Sequence, residues 1–200
     1  MRSVAQTVGI LGGVGRLEDM TLEQLWQLFP IQLRPHNPAY ASWFAEEAAS
    51  LQALLVDSAE RISHIGSTAV PGLVAKPIVD ILLELAPDAE LDATVAALVG
   101  EGWLVMSKAG GNDFRVDLNK GYTAQGFADR VFHLHLVPPG DHDELYFRHW
   151  LRQNPPACAK YEALKRDLLA SFEHNRDAYT AAKTDFIRSI TEQARQSGLP

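Results

Sequence analysis

Residues 64–85 read HIGSTAVPGLVAKPIVDILLEL, a core-like stretch that nevertheless carries Gly66, Ser67, Lys76 and Asp80. A glycine and a serine at 66–67 interrupt one apolar run, and Asp80 stands in the middle of the next. The run around Asp80 is almost continuously aliphatic, which is typical of strands buried between two layers of a protein. An isolated carboxylate in such a strand is costly unless it is paired or bound to a cation, so Asp80 needs a partner.

Strand alternation predicts which neighbours share the face of Asp80. Side chains on a strand point alternately to opposite faces, so Asp80, Leu82 and Glu84 point one way. Two carboxylates on one face can flank a cation, and we assign Asp80 and Glu84 as candidate catalytic residues. The alternative is that Glu84, near the strand end, is simply solvated.

A later stretch, FHLHLV at 132–137, repeats the pattern with two imidazoles. His133 and His135 share one face of a predicted strand, where they form a plausible pair of metal ligands. Together with Asp80 they make a candidate site for one divalent ion, Mg or Mn, with Zn as an alternative. The competing interpretation is two half-exposed histidines that make local hydrogen bonds.

The Gly-Ser turn predicts a phosphate site. Backbone amides that converge at a turn after a strand bind phosphate oxygens, which assigns Gly66, Ser67 and the adjacent Thr68 to a nucleotide's phosphates. Lys76 and Arg130 lie within a few residues of these elements and could neutralise a phosphate. The alternative is an ordinary strand-ending turn.

The pattern of elements predicts an α+β protein. Strand-like and helix-like segments alternate up to about residue 140, and only helical segments follow over 141–196. We predict a mixed β-sheet flanked by helices, with a C-terminal helical lobe. Residues 1–20 are expected to form a flexible extension, and residues 21–200 a single domain.

Composition excludes several classes of protein. The chain has 200 residues with 25 acidic and 18 basic side chains, for a net charge of −7, so we expect no long nucleic acid as partner. One cysteine, Cys158, excludes an internal disulfide and suits a reducing compartment, so we expect a cytoplasmic location. The opening apolar run is too short to span a membrane, and no membrane partner is expected.

The stretch at 64–85 resembles the signature of the GrpB family, also called UPF0157. The similarity extends over roughly residues 31–190 and includes five more segments in order: NPAYASWFAEEAASL, RVFHLHLV, LYFRHWLRQNP, KYEALKRDL and YTAAKTDFI. The resemblance implies a polymerase-beta-like nucleotidyltransferase fold. In that superfamily the Gly-Ser turn holds nucleotide phosphates, and an Asp-x-Asp pair with a third carboxylate binds two divalent ions.

The family pattern transfers only in part. Gly66 and Ser67 match the turn and Asp80 matches the first carboxylate, but Leu82 stands where the second carboxylate would be. Some relatives are fused to dephospho-CoA kinase, which hints at nucleotide or coenzyme A metabolism.

Three functional hypotheses follow from these patterns. The first is a metal-dependent nucleotidyltransferase acting on a small-molecule or protein acceptor. The second is an inactive module of the same fold that binds a nucleotide or a coenzyme-A-like molecule, which Leu82 favours. The third is an interaction protein in which Asp80 is purely structural. The sequence leaves the oligomeric state open.

Overall fold

The computed structural model describes residues 17–198 of the chain. Its five strands are β1 (Ala59–Ile65), β2 (Val79–Leu85), β3 (Leu104–Ala109), β4 (Arg115–Thr123) and β5 (Gly126–Val137). Its α-helices are α1 (Leu22–Leu28), α2 (Ala39–Leu54), α3 (Leu91–Gly100), α4 (Asp143–Gln153), α5 (Pro155–Phe172), α6 (Arg176–Ala181) and α7 (Thr184–Gln196).

The strands form one mixed sheet in the order β1-β2-β5-β4-β3. Only β2 and β5 run parallel, and the other neighbouring pairs are antiparallel. A parallel pair needs a long crossover, and here α3 and the β3-β4 hairpin supply it. The predicted α+β fold, with a mixed sheet flanked by helices and a C-terminal helical lobe, is confirmed.

One face of the sheet holds the main hydrophobic core. Val79, Ile81 and Leu83 of β2 are completely buried against α2 and α3. The buried residues that share this core are Tyr40, Leu51, Leu55, Leu85, Leu98, Trp103, Val116, Leu118, Phe132, Leu134 and Leu136. The alternation that buries these side chains turns their strand neighbours to the opposite face.

The opposite face meets the C-terminal lobe. At one end Leu82 packs with Ile65, Val137 and Leu145 in a small apolar cluster. The lobe has its own core, made of Val70, Leu73, Phe147, Leu151, Ala157, Tyr161, Ile190 and partly buried neighbours. Between these apolar contacts, polar side chains of β2, β4 and β5 face the helices.

The structure differs from the sequence prediction in one element. The helical pattern over 141–196 includes RDAYTAAKTDFIRSITEQ at 176–193, which reads as one helix. The structure divides this segment into α6 and α7 at Ala182 and Lys183. The division lets Lys183 lie over the ring of Tyr179, 4.6 Å from its centroid. No proline or glycine marks the break, so the sequence carried no signal for it. The predicted extension, residues 1–20, lies mostly outside the described residues.

Truncating Ile81 to alanine should lower the free energy of unfolding by about 2–5 kcal/mol, because the side chain is completely buried and leaves a cavity in the main core. Chemical denaturation of the wild type and of Ile81→Ala measures the difference. The matched control is Leu22→Ala, since Leu22 is 55% exposed and should cost less than about 0.5 kcal/mol. Equal effects for the two variants would contradict this packing.

Candidate functional site: a cleft between the sheet and the helical lobe

The Gly-Ser turn lies directly against Asp80. Gly66 ends β1 with φ +70° and ψ −170°, a conformation that is essentially restricted to glycine. A methyl group on Gly66 would overlap Oδ2 of Asp80. Any other residue would therefore separate the turn from the carboxylate, which explains the glycine that interrupts the apolar run.

Two arginines of α4 hold the turn from behind. Arg148 donates from Nη1 to the carbonyl of His64 at 2.7 Å, and Arg152 donates from Nε and Nη2 to the carbonyl of Ala69 at 2.9 and 2.7 Å. Thr68 is buried inside the turn, where its hydroxyl lies 3.0 Å from Nε2 of His64 and donates to the carbonyl of Ile78. Burial lowers the pKa of His64 to about 4, so this imidazole is neutral.

Asp80 finds its partner in His133. The parallel register places the two residues opposite each other, with Nδ1 of His133 3.1 Å from Oδ1 of Asp80. Burial alone would raise the pKa of Asp80, but the hydrogen bond from His133, together with nearby Lys76, outweighs it and lowers the pKa below its ordinary value. Asp80 is therefore an ionised carboxylate, as its isolation in an apolar strand demanded.

A line of hydrogen bonds continues from His133 to the lobe. Nη1 of Arg176 donates to Oη of Tyr122 at 2.7 Å, and Oη of Tyr122 lies 2.8 Å from Nε2 of His133. Burial lowers the pKa of His133, which makes its imidazole neutral. Because an arginine can only donate, the Tyr122 hydroxyl donates to Nε2 of His133, and the Nδ1 proton points to Asp80.

His135 belongs to a separate pair. Its Nδ1 lies 2.7 Å from Oδ1 of Asp117, the residue opposite it on β4, and 3.1 Å from Nη2 of Arg115. Arg115 also donates to Glu144 of α4 at 2.9 Å. Burial would raise the pKa of Asp117, but its hydrogen bonds with His135 and Ser107 lower it strongly.

The predicted metal ligands do not come together as a set. Each imidazole is hydrogen-bonded to its own carboxylate, and Leu82 between them is completely buried. Within residues 17–198, no group of three or more His, Cys, Asp or Glu side chains is arranged to hold a metal ion. The donors present do not fit the two-ion arrangement that the family resemblance implies.

Glu84 was predicted as a catalytic partner of Asp80, but the structure places it outside the cleft. It is 3% exposed, binds Arg61, and accepts from the backbone N–H of Gly140 at 3.1 Å. It does not line the cleft, because the strand carries it away from Asp80 toward the 138–142 loop. Its role is to hold that loop and β1 on the sheet.

Arg130 was predicted to contact phosphate, but it too lies outside the cleft. Its side chain is exposed, where it pairs with Glu46 and lies 5.5 Å from the ring centroid of Trp43. It does not line the cleft. Both partners belong to α2, on the other side of the sheet, so proximity in sequence to the histidines was misleading.

The cleft itself has a volume of about 450 Å³. The sheet side contributes Gly66, Ser67, Asp80, His133 and His135, as the sequence predicted. The lobe side contributes residues that sequence reasoning missed, among them Tyr161, Lys165, Arg176, Tyr179 and Lys183. Lys76, predicted as a phosphate ligand, also lines the cleft.

The lobe side carries strongly perturbed cations. Lys165 is 3% exposed and donates to Oγ of Ser67 at 3.3 Å and to the carbonyl of Val74. Burial lowers the pKa of both Lys165 and Lys76 to about 7, and it also lowers the pKa of Lys183. Across residues 17–198, none of these lysines has a carboxylate within ion-pair distance, and neither has Arg176.

The chain belongs to the GrpB protein family, whose sequence pattern matches residues 30–193. It is 36% identical to a UPF0157 protein of Pseudomonas aeruginosa, over 82% of this chain and 67% of that protein. The structure of the conserved protein GrpB from Enterococcus faecalis superposes with a TM-score of 0.72 at 30% identity, covering 83% of this chain and 98% of that one. The resemblance inferred from the sequence is thereby confirmed.

A further relative has a longer chain. The protein is 26% identical to a dephospho-CoA kinase of Mycolicibacterium paratuberculosis, over 82% of this chain but 46% of the kinase. The chain thus spans just under half of that relative. In the described part of the chain, no helix combines the length and apolar character that a membrane crossing requires.

Replacing Gly66 with alanine should destabilise the protein by about 1–3 kcal/mol or more, because alanine suffers both the backbone strain and the overlap with Asp80. Gly72→Ala is the matched control, since Gly72 also has a positive φ but no atom within 4 Å of the added methyl group. In an Asp80→Ala background the penalty of Gly66→Ala should shrink. Chemical denaturation of the wild type, Gly66→Ala, Asp80→Ala and the double variant measures this coupling. A penalty for Gly66→Ala that is unchanged in the Asp80→Ala background would contradict the contact.

The ligand-free protein should gain stability from Lys165 as the pH rises from about 7 to 10. The folded pKa of about 7 lies below that of an unfolded lysine, so the unfolded chain binds more protons in this range. The free energy of unfolding, measured against pH, should rise less steeply in Lys165→Met than in the wild type. Lys160→Met, at an exposed position of the same helix, should keep the wild-type slope. Parallel curves for wild type and Lys165→Met would refute the assignment.

Proposed function

We propose that the cleft binds the phosphates of a nucleotide. The observation that carries this proposal is the set of positive groups on its lobe side: Lys76, Lys165, Lys183 and Arg176 face the cleft without a carboxylate partner among the described residues. A buried ammonium without a counter-charge is costly, and such perturbed groups in a cleft are characteristic of functional sites. An anionic ligand would supply the missing charge.

Two unpaired hydrogen-bond donors support the same ligand. Oη of Tyr179 and Nη2 of Arg176 are buried and have no hydrogen-bond partner within residues 17–198. Both residues line the cleft. Buried donors are almost always paired in proteins, so these two groups favour a ligand rich in acceptor oxygens. Phosphate groups provide such oxygens.

The charge balance favours a polyphosphate over a single phosphate. The acidic residues at the same wall are already neutralised in part, since Glu144 binds Arg115 and Asp143 binds Arg195. Asp80 is the remaining carboxylate, and it faces four cationic side chains. Several negative charges on a di- or triphosphate match this excess.

The size and lining of the cleft favour one small molecule. Its volume of about 450 Å³ lies within the ordinary range of ligand pockets. Apolar side chains of Phe147 and Ile187 line the same space, where they could contact a base or an apolar arm of the ligand. With a net charge of −7, the chain as a whole offers no attraction to a long nucleic acid.

Two ligand classes therefore enter the test. Nucleoside triphosphates are the first, as the fold and the Gly-Ser turn suggest. Coenzyme-A-like molecules are the second, because they combine a nucleotide, a pyrophosphate and an apolar arm, and because one relative bears the name dephospho-CoA kinase. Both classes place a polyphosphate on the same lysines.

Nucleotidyl transfer to a small-molecule acceptor is a second candidate function. The position of Asp80 favours it, since an ionised carboxylate lies beside the turn that would hold the phosphates. In such a transfer an acceptor oxygen attacks the α-phosphorus and pyrophosphate leaves, and the lysines would stabilise the leaving charge. Leu82 and the separated histidines count against the two-ion version of this reaction.

A thermal unfolding screen tests nucleotide binding. Nucleoside triphosphates or coenzyme A at a hundredfold excess over the dissociation constant should stabilise the wild type by about 2.7 kcal/mol. At the same ligand concentration the stabilisation should fall by about half or more in Lys183→Met. It should persist in Arg130→Met, which removes the same charge outside the cleft. If no molecule of either class raises the unfolding temperature, the proposal is wrong. Release of pyrophosphate from the stabilising nucleotide then separates transfer from binding alone.

A further inference from the structure

We propose that side-chain cations take the place of divalent metal ions in this cleft, so that polyphosphate binds without a divalent cation. The inference rests on the proposed nucleotide site and specifies how that site neutralises its ligand. It departs from the two-ion scheme that the fold family implies, and the reason lies in the donors that this chain presents.

The carboxylate side of the cleft is too poor in donors for two ions. Of the three residues that β2 turns to this face, only Asp80 reaches the cleft, because Leu82 is buried in an apolar cluster and Glu84 is committed to Arg61 and Gly140. Divalent ions such as Mg²⁺ require several oxygen ligands in a regular geometry. Asp143 and Glu144 of the opposite wall also line the cleft, but they bind Arg195 and Arg115. Among the described residues, Asp80 is the one lining carboxylate not paired with an arginine, and it does not satisfy two such ions.

The imidazoles do not replace the missing carboxylates. Both ring nitrogens of His133 are engaged, one by Asp80 and one by Tyr122. Nδ1 of His135 is engaged by Asp117, so Nε2 of His135 is the one nitrogen of the two imidazoles without a partner among the described residues. One nitrogen does not make up for the missing carboxylates. The His133 contacts form a continuous line to Arg176. Binding a metal at His133 would require breaking that line at its centre.

The lobe supplies basic side chains in fixed positions instead. Lys76 and Lys183 both lie over the ring of Tyr179, with Nζ 5.0 and 4.6 Å from its centroid. Lys165 is fixed by the carbonyl of Val74 and the hydroxyl of Ser67. A lysine ammonium is a compact charge that binds phosphate oxygens directly. Held in place by aromatic and carbonyl contacts, these ammonium groups can neutralise a polyphosphate themselves.

The two ways of neutralising phosphate give opposite expectations for Asp80. If a divalent ion bridges protein and phosphate, Asp80 is its ligand, and removing the charge weakens binding. If the lysines bind phosphate directly, the Asp80 carboxylate repels the ligand and competes for the same cations, and removing its charge strengthens binding. Asn at position 80 keeps an oxygen acceptor for the Nδ1 proton of His133, so Asp80→Asn tests the charge with little change of shape.

Calorimetric titration distinguishes neutralisation by a divalent ion from neutralisation by the lysines. The ligands are inorganic tripolyphosphate and ATP, and each is titrated in EDTA and in excess Mg²⁺ or Mn²⁺. Tripolyphosphate is included because it reports on the phosphate site whatever base the site prefers. We expect wild-type protein to bind in EDTA, with no gain in affinity from either metal. The dissociation constant of Asp80→Asn should be at least about threefold lower than that of the wild type. The dissociation constant of Lys183→Met should be at least about tenfold higher.

Two control variants exclude a general effect of charge. Asp129→Asn removes a carboxylate from an exposed position of β5 outside the cleft and should leave the affinity unchanged. Arg130→Met removes a positive charge from an exposed position outside the cleft and should also leave the affinity unchanged. Tighter binding by Asp129→Asn equal to that of Asp80→Asn would show attraction to the whole surface and would overturn the proposal.

The remaining outcomes separate this inference from the function on which it rests. Binding that appears only with Mg²⁺ or Mn²⁺ and is lost in Asp80→Asn would overturn the inference while leaving a nucleotide site in place. Absence of binding by both ligands under all conditions would overturn the inference and the proposed function together.

Discussion

The hydrogen bond between His133 and Asp80 is the interaction on which the site depends. It gives a partner to a carboxylate that the fold places in an apolar strand, and it joins the two parallel strands on the side that faces the lobe. Through Tyr122 the same line reaches Arg176 at the start of α6. The positions and protonation states of Asp80 and His133 therefore depend on both the sheet and the lobe.

The alternation of the strands separates structural from chemical roles. The same residues of β2 and β5 that build the core have as their neighbours Asp80, His133 and His135 on the opposite face. A shift of one residue in register would exchange the two sets, at the cost of burying charge in the core. The core thus fixes the site by fixing the register.

Charge is distributed unevenly across the cleft. The sheet contributes carboxylates that are hydrogen-bonded to histidines, while the lobe contributes lysines without carboxylate partners among the described residues. This local excess of positive charge occurs in a chain whose net charge is −7. Exposed ion pairs elsewhere, such as Lys108 with Asp92, contribute little to stability. The cleft cations that lack a carboxylate partner within residues 17–198 are therefore the electrostatic feature that supports the proposed anionic ligand.

The corrections to the site share one cause. Glu84 was grouped with Asp80 because strand alternation puts them on one face, but a face of a strand is long, and Glu84 lies at its other end. Arg130 was grouped with the histidines because it is close in sequence. It lies three residues before His133, so strand alternation puts it on the opposite face, where it pairs with Glu46 of α2. The local pattern gives the face on which a side chain lies. It does not give the residues of other elements that the side chain contacts.

The sequence alone sufficed for the elements whose physics is local. The apolar run around Asp80, the histidine repeat of β5 and the Gly-Ser turn predicted the strands, their faces and the carboxylate's need of a partner, because periodicity and burial cost act within a few residues. Tertiary packing determines which of these residues meet. It places His133, Tyr122 and Arg176 in one line of hydrogen bonds and pairs Asp117 with His135. It also brings Lys165 of α5, and Lys183 from the break between α6 and α7, to the cleft from about 100 residues or more beyond the Gly-Ser turn. Contacts over such separations depend on how the lobe packs on the sheet, and that packing is a property of the whole chain.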